Sequence, residues 1–504
     1  MCINASPFAL LVGAQFGVQI QPIRIAVSSS QCERVAVARH DRVRNVTAEN
    51  DLPFKRKLGV LKGEELGFAA GMRVLDSLLG SLRGCLDRFP DKRRGTGTTN
   101  GTYPMADMGM SAFSVFFMQS PSFLAHQRLL ETGHGRSNCA SLFGISKIPC
   151  DTYIREMLDP ASPTLLQPAF AAAVEKLQQI PGGLDVFRRL DGHLLIALDG
   201  TEYHCSRKVH CEHCSTRVRG KTGKEYFHSM LAATLVAPGH NKVIPLEPEF
   251  IVPQDGAEKQ DCENMAAKRW LAAHGKRYAA LDAVFLGDDL FSRQPLCEAV
   301  LDVGGHFLFV CKPSSHPLIQ EYLTGIDLPT LEQPVKRGKE RFVYRYRWLR
   351  DVPLRDGKDA LTVNWLEIEI INAKGETRYH NSFITDLPVG ADNVVELAAC
   401  GRARWKIENE TFNVLKNDGY NLEHSFGHGK ANLAAVLVSL NLLAFAFHTI
   451  CDIGDDLWRA ARTKLGPRYN FFALLSGITV ILIFESWDDL LLRLSFAKPP
   501  PLPP

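Results

Sequence analysis

At 504 residues, with 45% apolar and 22% charged side chains, the chain is expected to form two or three domains rather than one compact core, and it is too apolar for a disordered protein. A net charge of +3 gives no basis for nucleic-acid binding from total charge and leaves that question to local basic clusters. Thirteen cysteines at irregular spacing, without a convincing secretion signal, read as reduced thiols of a cytosolic protein.

Residues 1–70 carry weak periodicity, mixed charge and no capping signals, and are expected to be a poorly structured extension. Within them Pro7 to Ile20 is mildly apolar but lacks a basic leader and a clean cleavage site. Met72 opens a cleaner helical pattern through Val74, Leu75, Leu78, Leu79 and Leu82, so the folded protein is expected to start near it. The span 71–185 reads as a small α-helical domain with a basic loop at Arg88 to Gly95 and an aromatic stretch carrying Phe113, Phe116, Phe117 and Phe123. Packing explains the aromatics, while small helical domains with basic edges also hold DNA.

The character changes over 190–312. Strand signals at 194–199, 226–236 and 242–252 precede a helix that Asp255 and Glu258 start at capping-box spacing and that runs to about His274. A strand at 283–288, a helix at about 293–302 and a strand from His306 to Cys311 follow. Three strands and then alternating helix and strand describe an α/β mixed sheet of the ribonuclease-H-like kind, in which the first and fourth strands are neighbours. Residues 313–395 insert a β-rich stretch with alternation at 342–348 and 363–370, and helical periodicity over 396–430 returns to the core. The span 431–504 reads as C-terminal helices and a Pro-rich tail. Its longest apolar run, Ala431 to Ile450, contains Asn432, Asn441 and His448, which fits a buried core helix better than a membrane span.

Three acids stand out against this pattern. Asp199 ends the apolar run Leu194 to Leu198, Asp288 ends the run Ala283 to Leu286 after Gly287, and Glu408 lies in a helix-like segment. A carboxylate at the edge of a core is costly unless something compensates it, and two such strands with one helix make an oxygen-rich cage for divalent cations. Asp289 is expected to be a loop acid. Glu408 and Glu410, about 200° apart on a helix, cannot both face one site. Taken singly and without other support, each reads first as a solvated helix carboxylate.

Downstream of Asp199 the segment 203–224 is rich in thiol, imidazole and base. Cys205, Cys211, Cys214 and His210 are candidate zinc ligands, with His204 and His213 as alternatives and free thiols in a hairpin loop as the competing reading. Arg207, Lys208, Arg217, Arg219, Lys221 and Lys224 form a basic cluster suited to neutralising DNA phosphates beside Asp199.

Asp199-Gly200-Thr201, Gly287-Asp288-Asp289-Leu290 and Trp405-Lys406-Ile407-Glu408-Asn409 resemble the acidic motifs of bacterial insertion-sequence transposases of the DDE type, the group with a β-rich insertion before the final Glu. Further matches are the segments Asp255 to Glu263, Phe412 to Asn417, Gly419 to His424 and Phe484 to Trp487, so the resemblance spans Met72 to Leu494. It implies that Asp199, Asp288 and Glu408 are catalytic and hold two Mg²⁺ or Mn²⁺ ions, Asp199 bridging both. Two such ions about 3.5–4 Å apart serve both ends of an in-line displacement at phosphorus. It also implies DNA-contacting roles for Arg404, four residues before Glu408, and for Lys416. The Tyr position of the related signature is occupied here by Gly401, and Lys416 falls one residue late. An aromatic of the insertion, Trp348 or Trp365, is core by default and by resemblance a platform for a flipped base. The implied activity is cleavage of element ends and joining of the 3′-OH to target DNA. The implied partners are terminal inverted repeats and target DNA, bound by a homodimer in the bacterial cytoplasm, at the nucleoid and without a membrane. A nuclease without strand transfer, or a non-catalytic DNA-binding relative, are the alternatives.

Overall fold

The computed structural model describes residues 73–93, 103–218, 223–253 and 262–496, all within one compact unit, Met72–Pro504. The expected N-terminal extension, the capping pair Asp255 and Glu258, Arg219, Lys221 and the Pro-rich tail lie outside the described residues.

The protein is a mixed α/β structure built on a sheet of twelve strands. In chain order these are β1 (Arg188–Arg189), β2 (His193–Ser206), β3 (Ser215–Val218), β4 (Lys224–Val236), β5 (Ile244–Pro245), β6 (Glu249–Ile251), β7 (Ala283–Gly287), β8 (His306–Val310), β9 (Thr330–Arg337), β10 (Glu340–Pro353), β11 (Thr362–Asn372) and β12 (Thr377–Thr385). The main path runs β3-β4-β2-β7-β8-β12-β11-β10-β9. The pairs β2–β7 and β7–β8 are parallel, and the others along this path are antiparallel. Parallel neighbours require a crossover. The helices Glu263–Trp270 and Gln294–Asp302 supply the two crossovers and bury Trp270, Leu296 and Cys297. Leu194–Leu198 and all of β7 are buried, as continuous apolar runs at the centre of a covered sheet should be.

The β-rich stretch extends this same sheet. Phe383 to Thr385 of β12 pair with Leu308 to Val310 of β8, and β11, β10 and β9 follow outward. Along β10 the alternation predicted from sequence puts Tyr344, Tyr346 and Trp348 in the core. Arg345 and Arg347 on the other face pair across strands with Glu332, Glu369 and Glu367.

The helices before and after the sheet pack together. Every residue of Met105–Phe117 is buried, so this helix has no face to give to solvent and needs cover on all sides. Much of that cover is Leu433–Gly454, whose Phe447 ring meets that of Phe113 at 5.5 Å. Trp487 donates to the Leu142 carbonyl at 2.7 Å, and Asn138 donates to the carbonyls of Thr479 and Leu482. Residues expected to form a helical domain of their own thus share one core with the C-terminal helices. Leu433–Gly454 is, among the described residues, the one helix long and apolar enough to cross a membrane, and 89% of its most apolar window is buried inside the fold. Its polar residues are engaged there: Asn441 donates to the Tyr420 carbonyl, and Tyr420 bonds His448 at 2.6 Å. Asp159 accepts from the backbone N–H groups of Lys430, Ala431 and Leu433 at the start of this helix. Burial acts against the Asp159 carboxylate, but those N–H groups outweigh it and lower its pKa.

Candidate active site

The parallel register pairs Ala197 of β2 with Leu286 of β7. Two residues further along each strand stand Asp199 and Asp288, so adjacency of strands far apart in sequence brings two acids to one edge. β7 ends at Gly287, whereas β2 continues to Ser206 paired only with β4, which opens the sheet beside Asp199. The strand signal read as 194–199 is therefore the buried first half of a longer strand.

Glu408 comes from a segment that is not a regular α-helix. Ala403–Trp405 is a 3₁₀ turn, Ile407–Phe412 is π-helical, and α-helix resumes only at Asn413–Asn417. Wide turns of this kind re-aim side chains and occur often at functional sites. Here Arg404, only 8% exposed, points one terminal nitrogen at Asp199 Oδ2 (3.3 Å) and the other at Glu408 Oε1 (2.9 Å). Arg404 thus lies inside the acid cluster, where its guanidinium does not present a free surface to DNA.

A fourth carboxylate, Glu263 at the start of the first crossover helix, completes the group. A Cβ on Gly200 would come within 2.0 Å of Glu263 Oε1, so a side chain there would make this flexible carboxylate move aside. Burial raises the Asp199 pKa to about 7, with Arg404 opposing and Glu408, Glu263 and Asp288 adding to the rise. Burial and Asp288 raise Glu263 as well. Asp199 and Glu408 share one guanidinium, Asp288 and Glu263 add their charge to Asp199, and hard oxygen donors in such excess suit a divalent cation. Their atoms are not closed around an ion position, because the guanidinium lies between Asp199 and Glu408. Asp289 behaves as the loop acid it was expected to be, accepting from Lys312 N and Ser315 Oγ.

The expected DNA contacts divide. Arg217 is held by Glu202 and Glu225, with its guanidinium 4.6 Å from the Phe227 ring centre. Lys416 pairs with Glu423 at 2.9 Å. Arg207, largely exposed, reaches Glu225 at 3.6 Å, and Lys208 is exposed on the turn after β2, its N–H donating to Ser206 Oγ. Trp348 and Trp365 are buried and cannot stack on a base as they stand. The exposed tryptophan is Trp405, at 51%, beside Arg404 and three residues before Glu408.

The zinc ligands expected from spacing need correction. Cys211 and Cys214 do join a tight group of donors, but their partners are His228 of β4 and His428, not Cys205 and His210. Sheet geometry explains the first substitution. His204 pairs with His228 on the cluster's side, and the next residue, Cys205, points the opposite way and is exposed. The His210 ring instead stacks on Tyr226, with centroids 4.2 Å apart.

Comparison of the chain with protein-family models gives no match, and comparison with curated proteins gives none.

Proposed function

We propose that the protein is a DDE-type transposase with a ribonuclease-H-like core, cutting insertion-sequence ends and joining the freed 3′-OH to target DNA. The observation that carries this reading is that Asp199 and Glu408, 209 residues apart, share one buried arginine, while Asp288, at the end of the parallel neighbour strand, adds its charge to Asp199. The sheet supports it too: an antiparallel set joined through β2 to parallel β7 and β8 is the arrangement that the strand pattern of such a core requires.

Asp199, Asp288 and Glu408 would hold Mg²⁺, which when bound supplies Lewis-acid stabilisation of the phosphoryl oxygens and lowers the pKa of the attacking water or hydroxyl. The protein's own groups prepare that site. Arg404 orients Asp199 and Glu408 and offsets their repulsion. Glu263 adds negative potential that favours cation uptake over a neutral ligand. Trp405 offers an aromatic face to an unstacked base near the scissile bond. Arg207 and Lys208 meet the backbone beyond β2.

The test uses the full-length protein, Mg²⁺ and DNA taken from both flanks of its reading frame, where this reading expects inverted repeats, with Asp288→Asn as control. Strand-transfer products that disappear in the control are expected. Cut ends without joined products would replace this reading by a nuclease, and a gel shift without cleavage by a DNA-binding relative.

A further inference from the structure

We infer that Cys211, Cys214, His228 and His428 bind one zinc ion tetrahedrally, and that this ion staples the β2–β4 hairpin to the chain leading into the long C-terminal helix. The inference does not depend on the transposase reading. With Zn–S of about 2.3 Å and Zn–N of about 2.0–2.1 Å, the edges of a Cys₂His₂ tetrahedron are about 3.8 Å between sulfurs, about 3.6 Å from sulfur to nitrogen and about 3.3 Å between nitrogens. The sulfurs of Cys211 and Cys214 are 3.9 Å apart. His228 Nε2 is 3.5 Å from Cys211 Sγ and 3.4 Å from Cys214 Sγ, and His428 Nε2 is 3.3 Å from Cys214 Sγ. The two Nε2 atoms stand 3.1 Å apart. These five of the six edges lie within about 0.3 Å of the zinc tetrahedron, and all four donor atoms lie within 4.8 Å of one another.

Other accounts of the cluster fare worse. A disulfide needs sulfurs about 2.05 Å apart, far closer than the 3.9 Å here. Hydrogen bonds among two thiols and two imidazole nitrogens cannot satisfy every close approach, since each atom carries at most one proton. Two thiolates around a divalent zinc are together neutral, which suits a group whose Cys214, His228 and His428 are all buried.

The surroundings hold the donors in place. The Cys211 N–H donates to Cys214 Sγ at 3.4 Å, and the Cys214 N–H returns to the Cys211 carbonyl, fixing the turn. His428 Nδ1 lies 2.9 Å from the Gly429 carbonyl, which directs Nε2 as the free lone pair towards the sulfurs. Gly427 (φ 155°) and Gly429 (φ 72°) flank His428, and a Cβ on Gly429 would strike Asp159 Oδ1 at 2.2 Å. The chain therefore turns tightly at His428 against the same Asp159 that caps Leu433–Gly454. Cys214 and His428 are 214 residues apart, so the ion closes a long loop between sheet and helices.

The decisive measurement is metal content of the full-length protein purified without chelator, followed by exchange of the metal for Co²⁺. One zinc per chain and the visible absorption of tetrahedral thiolate-bound Co²⁺ are expected. Cys214→Ser and His228→Ala should each abolish that spectrum, whereas Cys205→Ser and His210→Ala should keep it. Should the variants fail to fold, stripping wild-type protein with a chelator decides the matter: a midpoint of thermal unfolding lower by several degrees, restored by zinc alone, is expected. No bound zinc together with no Co²⁺ uptake would overturn the inference. So would bound iron in place of zinc, or loss of metal in Cys205→Ser equal to that in Cys214→Ser.

Discussion

Two polar clusters lie along the β2–β4 hairpin, and they differ in hardness, closure and charge. The cysteine–histidine group beyond the end of β2 consists of soft donors already at ligand spacing and turned away from solvent. The acid group at Asp199 consists of hard donors held apart by Arg404, with Glu408 still 36% exposed. Structural metal sites have all positions filled by protein, whereas catalytic ones keep a position for water or substrate. By that criterion, under the two readings proposed above, one hairpin would carry a fastener and, some ten residues away, a site left open for chemistry.

The contrast breaks most visibly at the carboxylates. Asp288→Asn and Glu408→Gln should each lower Mg²⁺-dependent cleavage by about 10²–10³-fold or more, the scale on which loss of one charge-stabilising group acts. Folding should be intact by circular dichroism. Cys214→Ser should do the reverse, lowering the melting midpoint while cleavage per folded molecule stays near wild type. If Cys214→Ser removed cleavage from fully folded protein, the division into fastener and reactive site would be wrong.

Arg404 separates the two clusters in a second way. Arg404→Ala leaves Asp199 and Glu408 facing each other without a counter-charge. Breaking a buried pair costs about 3–5 kcal/mol; here about 2–3 kcal/mol is expected, because Asp199 can take up a proton and Glu408 is partly solvated. Chemical denaturation of metal-free protein at pH 8 measures it, and added Mg²⁺ should recover part of the loss. A loss below about 0.5 kcal/mol, the range of an ordinary surface change, would mean that the guanidinium does not hold the cluster together.

A smaller effect follows from the proton itself. The Asp199 pKa is raised to about 7 in the folded protein from an ordinary 3.8. The folded state therefore binds the extra proton between those values, and this group's contribution to stability falls as pH rises from about 4 to about 7 and stays low above. Metal-free wild type should gain stability on acidification from pH 8 to pH 5 relative to Asp199→Asn, which lacks the titrating group. The variant should also melt higher than wild type at pH 8 while being inactive, a reactive site trading stability for charge. Parallel pH profiles for the two proteins would show that Asp199 is not the group that titrates.

How far each cluster could be read from sequence follows from where its members sit. Asp199 and Asp288 announce themselves because each follows an apolar run, and strand order predicts that β2 and β7 are neighbours. Glu263 gives no such signal: it opens an amphipathic helix like any N-terminal acid, and its approach to Gly200 appears only in the fold. The π-helical turn at Ile407–Phe412 is equally silent, since the apolar positions Ile407, Phe412 and Leu415 fit an α-helix almost as well. By resemblance Arg404 reads as a DNA contact, because its spacing from Glu408 is legible in the sequence and its burial is not. For the thiol cluster, Cys211 and Cys214 follow a local spacing rule. His228 lies 14 residues beyond Cys214 and His428 lies 214 beyond, where no rule of spacing reaches. Likewise the buried flanks of Met105–Phe117 say that the helix needs partners without saying that they come from the other end of the chain.

The smallest effect concerns the basic residues between the two clusters. Sequence groups Arg207, Lys208 and Arg217 together, but the structure gives them different neighbours. Arg217 is engaged by Glu202 and Glu225 and covers Phe227, so its charge is largely spent within the hairpin. Lys208 is exposed, and Arg207 makes only a long contact with Glu225. A phosphate contact contributes about −0.9 to the slope of log K against log salt. Arg207→Ala with Lys208→Ala should therefore flatten that slope by up to about 1.8 in a fluorescence-anisotropy titration, two contacts at that value. Arg217→Ala should change the slope little and instead cost up to about 1 kcal/mol of stability, as partly exposed pairs do. A slope altered more by Arg217→Ala than by the double variant would mean that DNA displaces Glu202 and Glu225. The hairpin would then rearrange on binding, between a fastened end and an open one.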